Sequence, residues 1–267
     1  MAIYDQQLTY AIITIIALII GATPIGFFLI NRKMSLVTDA MGHTILPGAA
    51  LGAIIGHNSD WAILIGATIT GVILFLLAAK MPKIARIGED TNFAIFYLGA
   101  LATGLLIADS GHGDVHLDDL LFGNISTISN TTLIFTLVIS VVSVIAISII
   151  FKPLLLDTID KEYSIGLNST VIARQIFYAI LALIGVAAFK AVGTLLAVGI
   201  IIGPSAFAII WAKSIKSQFI VAIIFGIICA IIGTIIGHLF NLKTSALIIL
   251  LMVISIIISI FIKNNKN

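Results

Sequence analysis

Asp39 and His43 are the residues of this chain whose types and spacing best fit chemistry. They lie four positions apart within SLVTDAMGHTILPGAALGAIIG, an otherwise apolar stretch at residues 35–56. That spacing stacks both side chains on one face of an α-helix. Together they offer a hard carboxylate oxygen and an imidazole nitrogen, a combination suited to a first-row divalent cation. One chain supplies only this pair, too few ligands to close a site, whereas two chains meeting across a two-fold axis would supply enough. An ionisable pair in an apolar segment is costly, which marks it as a candidate functional site. Position alone leaves a second reading open, in which Asp39 sits near a membrane surface and pairs with Arg32 or Lys33. Pro47-Gly48 follows the pair. There a missing backbone donor and a residue without a side chain predict a weak point, or hinge.

The rest of the chain reads as the housing. It has 267 residues, 60% of them hydrophobic and only 10% charged. Soluble domains carry about 25% charged residues, so a soluble domain is excluded. Cys229 is the sole cysteine, which excludes an internal disulfide and a multi-Cys metal site. Basic residues are scattered in ones and twos with no basic face, so nucleic acid is not an expected partner. The opening MAIYDQQLTY has no Lys or Arg ahead of its apolar run. It lacks the positive start of a signal peptide, and the run is expected to be a retained helix.

Runs of about 17–25 apolar residues have the length that spans a bilayer. Nine are legible, at residues 10–30, 35–56, 61–79, 91–108, 131–151, 171–189, 192–211, 219–239 and 245–262. The expected fold is therefore an all-α membrane protein, residues 1–267 forming a single transmembrane domain of about nine helices. Eight is the alternative count, if the runs on either side of Phe189-Lys190-Ala191 form one broken element. With the N-terminus outside, twelve of the fourteen Lys and Arg fall in inner connectors, and only Lys190 and Lys243 fall outside. Such a bias places the N-terminus outside and the C-terminus in the cytoplasm.

The letters around the pair carry a resemblance. SLVTDAMGHTILPGAALG is similar to the signature of the ABC-3 metal-ion permeases, close to SL-x-x-DA-x-SHA-x-LPG-x-AL, with Gly42 and Thr44 where Ser and Ala are common. Gly88-Glu89-Asp90-Thr91, Leu121-Phe122-Gly123-Asn124 and the segment from Lys190-Ala191-Val192-Gly193 to Pro204-Ser205-Ala206 resemble further family motifs, in the family's order along nearly the whole chain. The resemblance implies a type II-like ABC importer membrane domain in the cell membrane, working as a homodimer. It also implies two partners, a cytoplasmic ATP-binding cassette ATPase and an extracellular metal-binding protein. In the family the acid and histidine of this motif line the path and ligate the metal, a role that falls here on Asp39 and His43. Pro47 before Gly48 favours the manganese and iron branch over the zinc branch.

No G-x-x-x-x-G-K-[ST] occurs, so ATP is expected to be used by the partner subunit rather than by this chain. No permanently bound cofactor is expected; the divalent ion, manganese, iron or zinc, is cargo. The inner connector at residues 152–170, KPLLLDTIDKEYSIGLNST, is the expected coupling loop to the ATPase. Asp157, Asp160, Glu162 and Gly166 resemble the family's loop, although the acid spacing is irregular and Glu162 stands where alanine is usual. In the outer connector His112, Asp114, His116, Asp118 and Asp119 alternate in a way that suits a divalent ion or a delivering partner, and equally a hydrated loop at headgroup level. His57 and His238 read as helix-end residues. Lys190 reads as a snorkelling anchor, and Pro204 as a kink in the seventh helix. The rival from another class is a gradient-driven secondary transporter or channel with Asp39 as its proton site. Many such folds show inverted repeats, and none is legible here.

Overall fold

The computed structural model describes residues 2–57, 59–80, 89–109, 128–160, 167–240 and 242–264. Among the described residues the chain is helical, without strands. The helices are α1 (Ala2–Asn31), α2 (Val37–Thr44), α3 (Leu46–Ile55), α4 (Asp60–Lys80), α5 (Glu89–Asp109), α6 (Asn130–Ile159), α7 (Asn168–Trp211), α8 (Ile215–Leu239) and α9 (Thr244–Asn264). The all-α membrane class expected from composition holds. The count of nine crossings is not confirmed. Six described helices are long and apolar enough to cross a membrane, and α5 contributes only a shorter apolar stretch, Phe93–Ile107.

The second apolar run is divided. α2 ends at Thr44 and α3 begins at Leu46, with Ile45 as the shared cap and Pro47 in the first turn of α3. Proline suits that position because the first N–H groups of a helix have no intrahelical acceptor. Pro47 therefore starts a helix here, and the interruption falls just before it. Gly48 lies inside α3 against Gly66 of α4, where a side chain would run into the Gly66 carbonyl and Thr70. Its smallness serves close helix packing.

The sixth and seventh runs both fall in α7, which breaks at Gly193 with φ 81° and ψ 168°. Contacts show that the chain doubles back there. Arg174 pairs with Asp157, to which Arg32 at the end of α1 also binds. Ser205 donates to the carbonyl of Thr23 in the same α1, at 3.1 Å. Thr23 and Arg32 are about 14 Å apart along a helix, whereas residues 174 and 205 would be about 46 Å apart in a straight one. Residues 168–192 and 194–211 are thus two arms of a hairpin, and the break lies at Gly193.

α1 and α7 form the inside of the bundle: 72% of each apolar window is buried, against 17% for α9. The core joins Ile15, Leu18, Phe28, Phe177, Phe189 and Leu196. Some hydroxyls inside it return their protons to helix carbonyls, as Thr23 does to Ile19 at 2.6 Å and Ser143 to Gly21 at 2.8 Å, whereas those of Thr14, Thr136, Ser140 and Thr234 find no partner in the described structure. In a medium without water that closure removes the cost of an unsatisfied donor for the hydroxyls that achieve it.

Candidate metal-translocation site

α2 is clamped on two sides. Met41 packs into the space left by Gly185 of α7, and Phe189 of α7 lies over Gly42, where a Cβ would stand 2.7 Å from the ring. On the other flank lies α5, whose Tyr97 ring meets α2 at His43. Val37, Thr38, Ala40, Met41, Gly42 and Thr44 are buried. Asp39 remains exposed and His43, one turn further along the same face of α2, is half-buried.

Asp39 makes no ion pair among the described residues, because Arg32 is engaged by Asp157 instead. The pairing of Asp39 with Arg32 or Lys33 considered above does not form among the described residues. The imidazole of His43 lies against the ring of Tyr97, with centroids 5.1 Å apart and planes at 45°. Its Nδ1 is buried without a hydrogen-bond partner in the described structure. No group of three or more His, Cys, Asp or Glu side chains converges among the described residues. Within one chain the arrangement is an oxygen donor and a nitrogen donor on one accessible face, with an aromatic ring fixing the second.

Tyr97 is the residue that sequence reasoning missed. It falls in FAIFYLGAL, an apolar run without a motif of its own, and only packing shows which helix it faces. A hydroxyl-bearing aromatic in the middle of such a run was the available signal.

The remaining candidates disperse. Asp157 is buried, 2% exposed at its side chain, between Arg32 and Arg174. Asp160 is exposed at the end of α6. Residues 152–159 continue α6 and α7 starts at Asn168, so the described helices take up much of the expected loop. Glu162, Gly166 and the His112–Asp119 alternation lie outside the described residues, as do Gly88 and the LFGN segment. Lys190 is no simple snorkelling anchor: its ammonium pairs with Asp60 at 3.1 Å, and the Ser129 hydroxyl donates to the other Asp60 oxygen at 2.9 Å. That cluster binds the starts of α4 and α6 to the α7 turn. Residues 129 and 157 are about 42 Å apart along α6, so Lys190 and Arg32 mark opposite ends of the bundle. His238 is exposed in the last turn of α8.

The model of the ABC 3 transport family matches residues 4–263. The chain belongs to that family. It is 33% identical over 260 residues to the manganese import system permease protein ScaB of Streptococcus parasanguinis, covering 96% of this chain and 91% of the relative. It is 31% identical to the manganese transport system membrane protein MntC of Halalkalibacterium halodurans, with 92% and 82% covered. Among solved structures, PsaBC from Streptococcus pneumoniae in complex with Fab superposes with a TM-score of 0.79 at 30% identity, over 95% of this chain and 90% of that one.

Proposed function

We propose that this chain is the membrane permease subunit of an ATP-binding cassette importer. Its cargo is a divalent transition metal ion, manganese or iron ahead of zinc. The observation that carries this reading is the Asp39–His43 pair on one face of α2, the acid exposed and the imidazole half-buried with no hydrogen-bond partner for its Nδ1 among the described residues, in a chain of this family. Two copies facing each other would bring two carboxylates and two imidazoles together, a mixed N/O set that first-row ions accept.

Transport proceeds by alternating access. An extracellular metal-binding protein delivers the ion, Asp39 and His43 hold it in passing, and ATP hydrolysis in a cytoplasmic partner shifts the dimer through residues 152–170. The break at Ile45, with Pro47 and Gly48 beyond it, lets α2 move relative to α3. The N-terminus lies outside and the C-terminus in the cytoplasm. Residues 1–267 act as one transmembrane unit in the cell membrane.

The test is uptake by the complex reconstituted in lipid vesicles, with manganese, iron and zinc compared side by side. His43→Ala and Asp39→Asn should assemble normally and lose uptake of the preferred ion by at least about tenfold, since each removes a ligand and the only packing given up is the contact of the half-buried His43 ring with Tyr97. Normal uptake by His43→Ala would refute the ligand assignment. Uptake driven by a proton gradient without ATP would refute the importer class.

A further inference from the structure

Arg32 is the first residue after α1, and its side chain is 2% exposed. One terminal nitrogen donates to Asp157 Oδ2 at 2.7 Å and to the Leu154 carbonyl at 3.4 Å. Its Nε donates to Thr158 Oγ1 at 3.0 Å, and its guanidinium carbon lies 5.3 Å from the centre of the Phe177 ring. The same carboxylate accepts from Arg174, whose Nε reaches Oδ2 at 3.1 Å and whose terminal nitrogen reaches Oδ1. One carboxylate in the last turn of α6 thus holds two guanidiniums, one at the end of α1 and one in the first arm of α7.

The chain on the far side of Arg32 leads directly to the metal-bearing helix. Lys33 adopts φ 59°, a left-handed conformation that a side-chain-bearing residue keeps only when its surroundings impose it. Backbone bonds from Lys33 to Ile30 and from Met34 to Leu29 close the turn, and the Tyr178 hydroxyl lies 3.7 Å from Met34 Sδ. α2 begins at Val37. Asp39 is therefore seven residues from the clasp, with one constrained turn between them.

A buried ion pair is not the least costly way to stabilise helix ends, since well-packed apolar residues do as well or better. What it provides is registry, because removing either partner leaves an uncompensated charge. We propose that Arg32, held by Asp157 and Thr158, is a positioning residue that transmits displacement at the end of α6 to α2, so that ATP hydrolysis changes the exposure of Asp39 and His43. This rests on the reading that residues 152–170 meet the ATPase.

The experiment measures metal transported per ATP hydrolysed by the complex in lipid vesicles. Arg32→Lys keeps the charge and loses the fork; Thr158→Val keeps the ion pair and the shape and loses the Nε bond, so it is the variant expected to fold regardless. The expected result is ATP hydrolysis within about twofold of wild type while transport per ATP falls about tenfold in Arg32→Lys and by a smaller factor in Thr158→Val, in the range that contact chains exert on coupling. Transport and hydrolysis falling in equal proportion, or neither changing in Thr158→Val, would overturn the proposal. So would loss of the ATPase from either purified complex, because both positions act from inside the bundle. A separate variant with residues 161–166 replaced by a Gly-Ser linker reports on the docking reading alone: an ATPase retained at full affinity there removes that reading and leaves the ratio to decide the role of Arg32.

Discussion

Gly193→Ala is the substitution for which the structure gives the sharpest expectation. At φ 81° and ψ 168° the backbone occupies a region open essentially to glycine alone. A Cβ there costs about 3 kcal/mol, the upper end for strained backbone conformations. The helix cannot escape by straightening. Forty-four residues in one rod would be about 66 Å long, twice the hydrocarbon thickness, and the Arg174–Asp157 and Ser205–Thr23 contacts could not coexist. The strain must therefore appear as lost stability, about 6–12 °C in the unfolding midpoint for a chain of this size. Cys229 gives the assay. It is the only cysteine and is 5% exposed, so a thiol-reactive fluorophore reports unfolding in detergent. Gly99→Ala is the matched control, since an added Cβ there meets no atom within 4 Å. It should hold or raise the midpoint through helix propensity, by up to about 1 kcal/mol. A Gly193→Ala midpoint within about 2 °C of wild type would refute the assignment of a glycine-only turn, and with it the hairpin.

Other substitutions test the packing and the charges. Gly48→Ala should lower stability by about 1–3 kcal/mol, because the new Cβ meets not only the Thr70 hydroxyl but the backbone carbonyl of Gly66, which cannot turn aside; the same thiol assay measures it. Asp157→Asn leaves two guanidiniums without their carboxylate and should cost about 3–5 kcal/mol, visible as poor recovery of folded protein at 37 °C. Lys190→Met should cost less than about 1 kcal/mol, since both partners of that ion pair are partly exposed and Asp60 keeps its bond from Ser129; a midpoint shift of more than about 5 °C would mean that the pair does more than pin the α7 turn.

The apolar runs and the Asp39–His43 spacing were legible because both follow from local periodicity and residue type. Even the doubtful boundary near Lys190 marked a true feature, the turn at Gly193. What sequence could not show depends on partners remote in the chain. Asp157 reads as a loop acid by its neighbours, yet Arg32, 125 positions away, draws it into the interior. Lys190 finds Asp60 for the same reason. Pro47-Gly48 was read as the weak point, and the interruption lies beside it, at Ile45, because proline is well suited to a first helical turn and the run before it stops short. Tyr97 meets His43 through the packing of α5 on α2, which no spacing rule within either helix contains.

The interruption at Ile45 has an electrostatic consequence. The hydrogen-bonded run of α2 ends at Thr44, although Ile45 keeps helical dihedrals, and the last carbonyls of such a run carry a partial negative charge. Thr44, Ile45 and Leu46 are 3%, 7% and 2% exposed, so this pole is enclosed in protein beside His43 and away from screening water. The start of α3 brings an opposing positive pole, but Pro47 adds no N–H to it. What the start of α3 leaves uncancelled is a fixed attraction of backbone carbonyls for a cation, smaller than that of a free helix end. Unlike the charge on Asp39, it cannot be removed by a proton, and it would persist in acid as a residual preference for positive cargo.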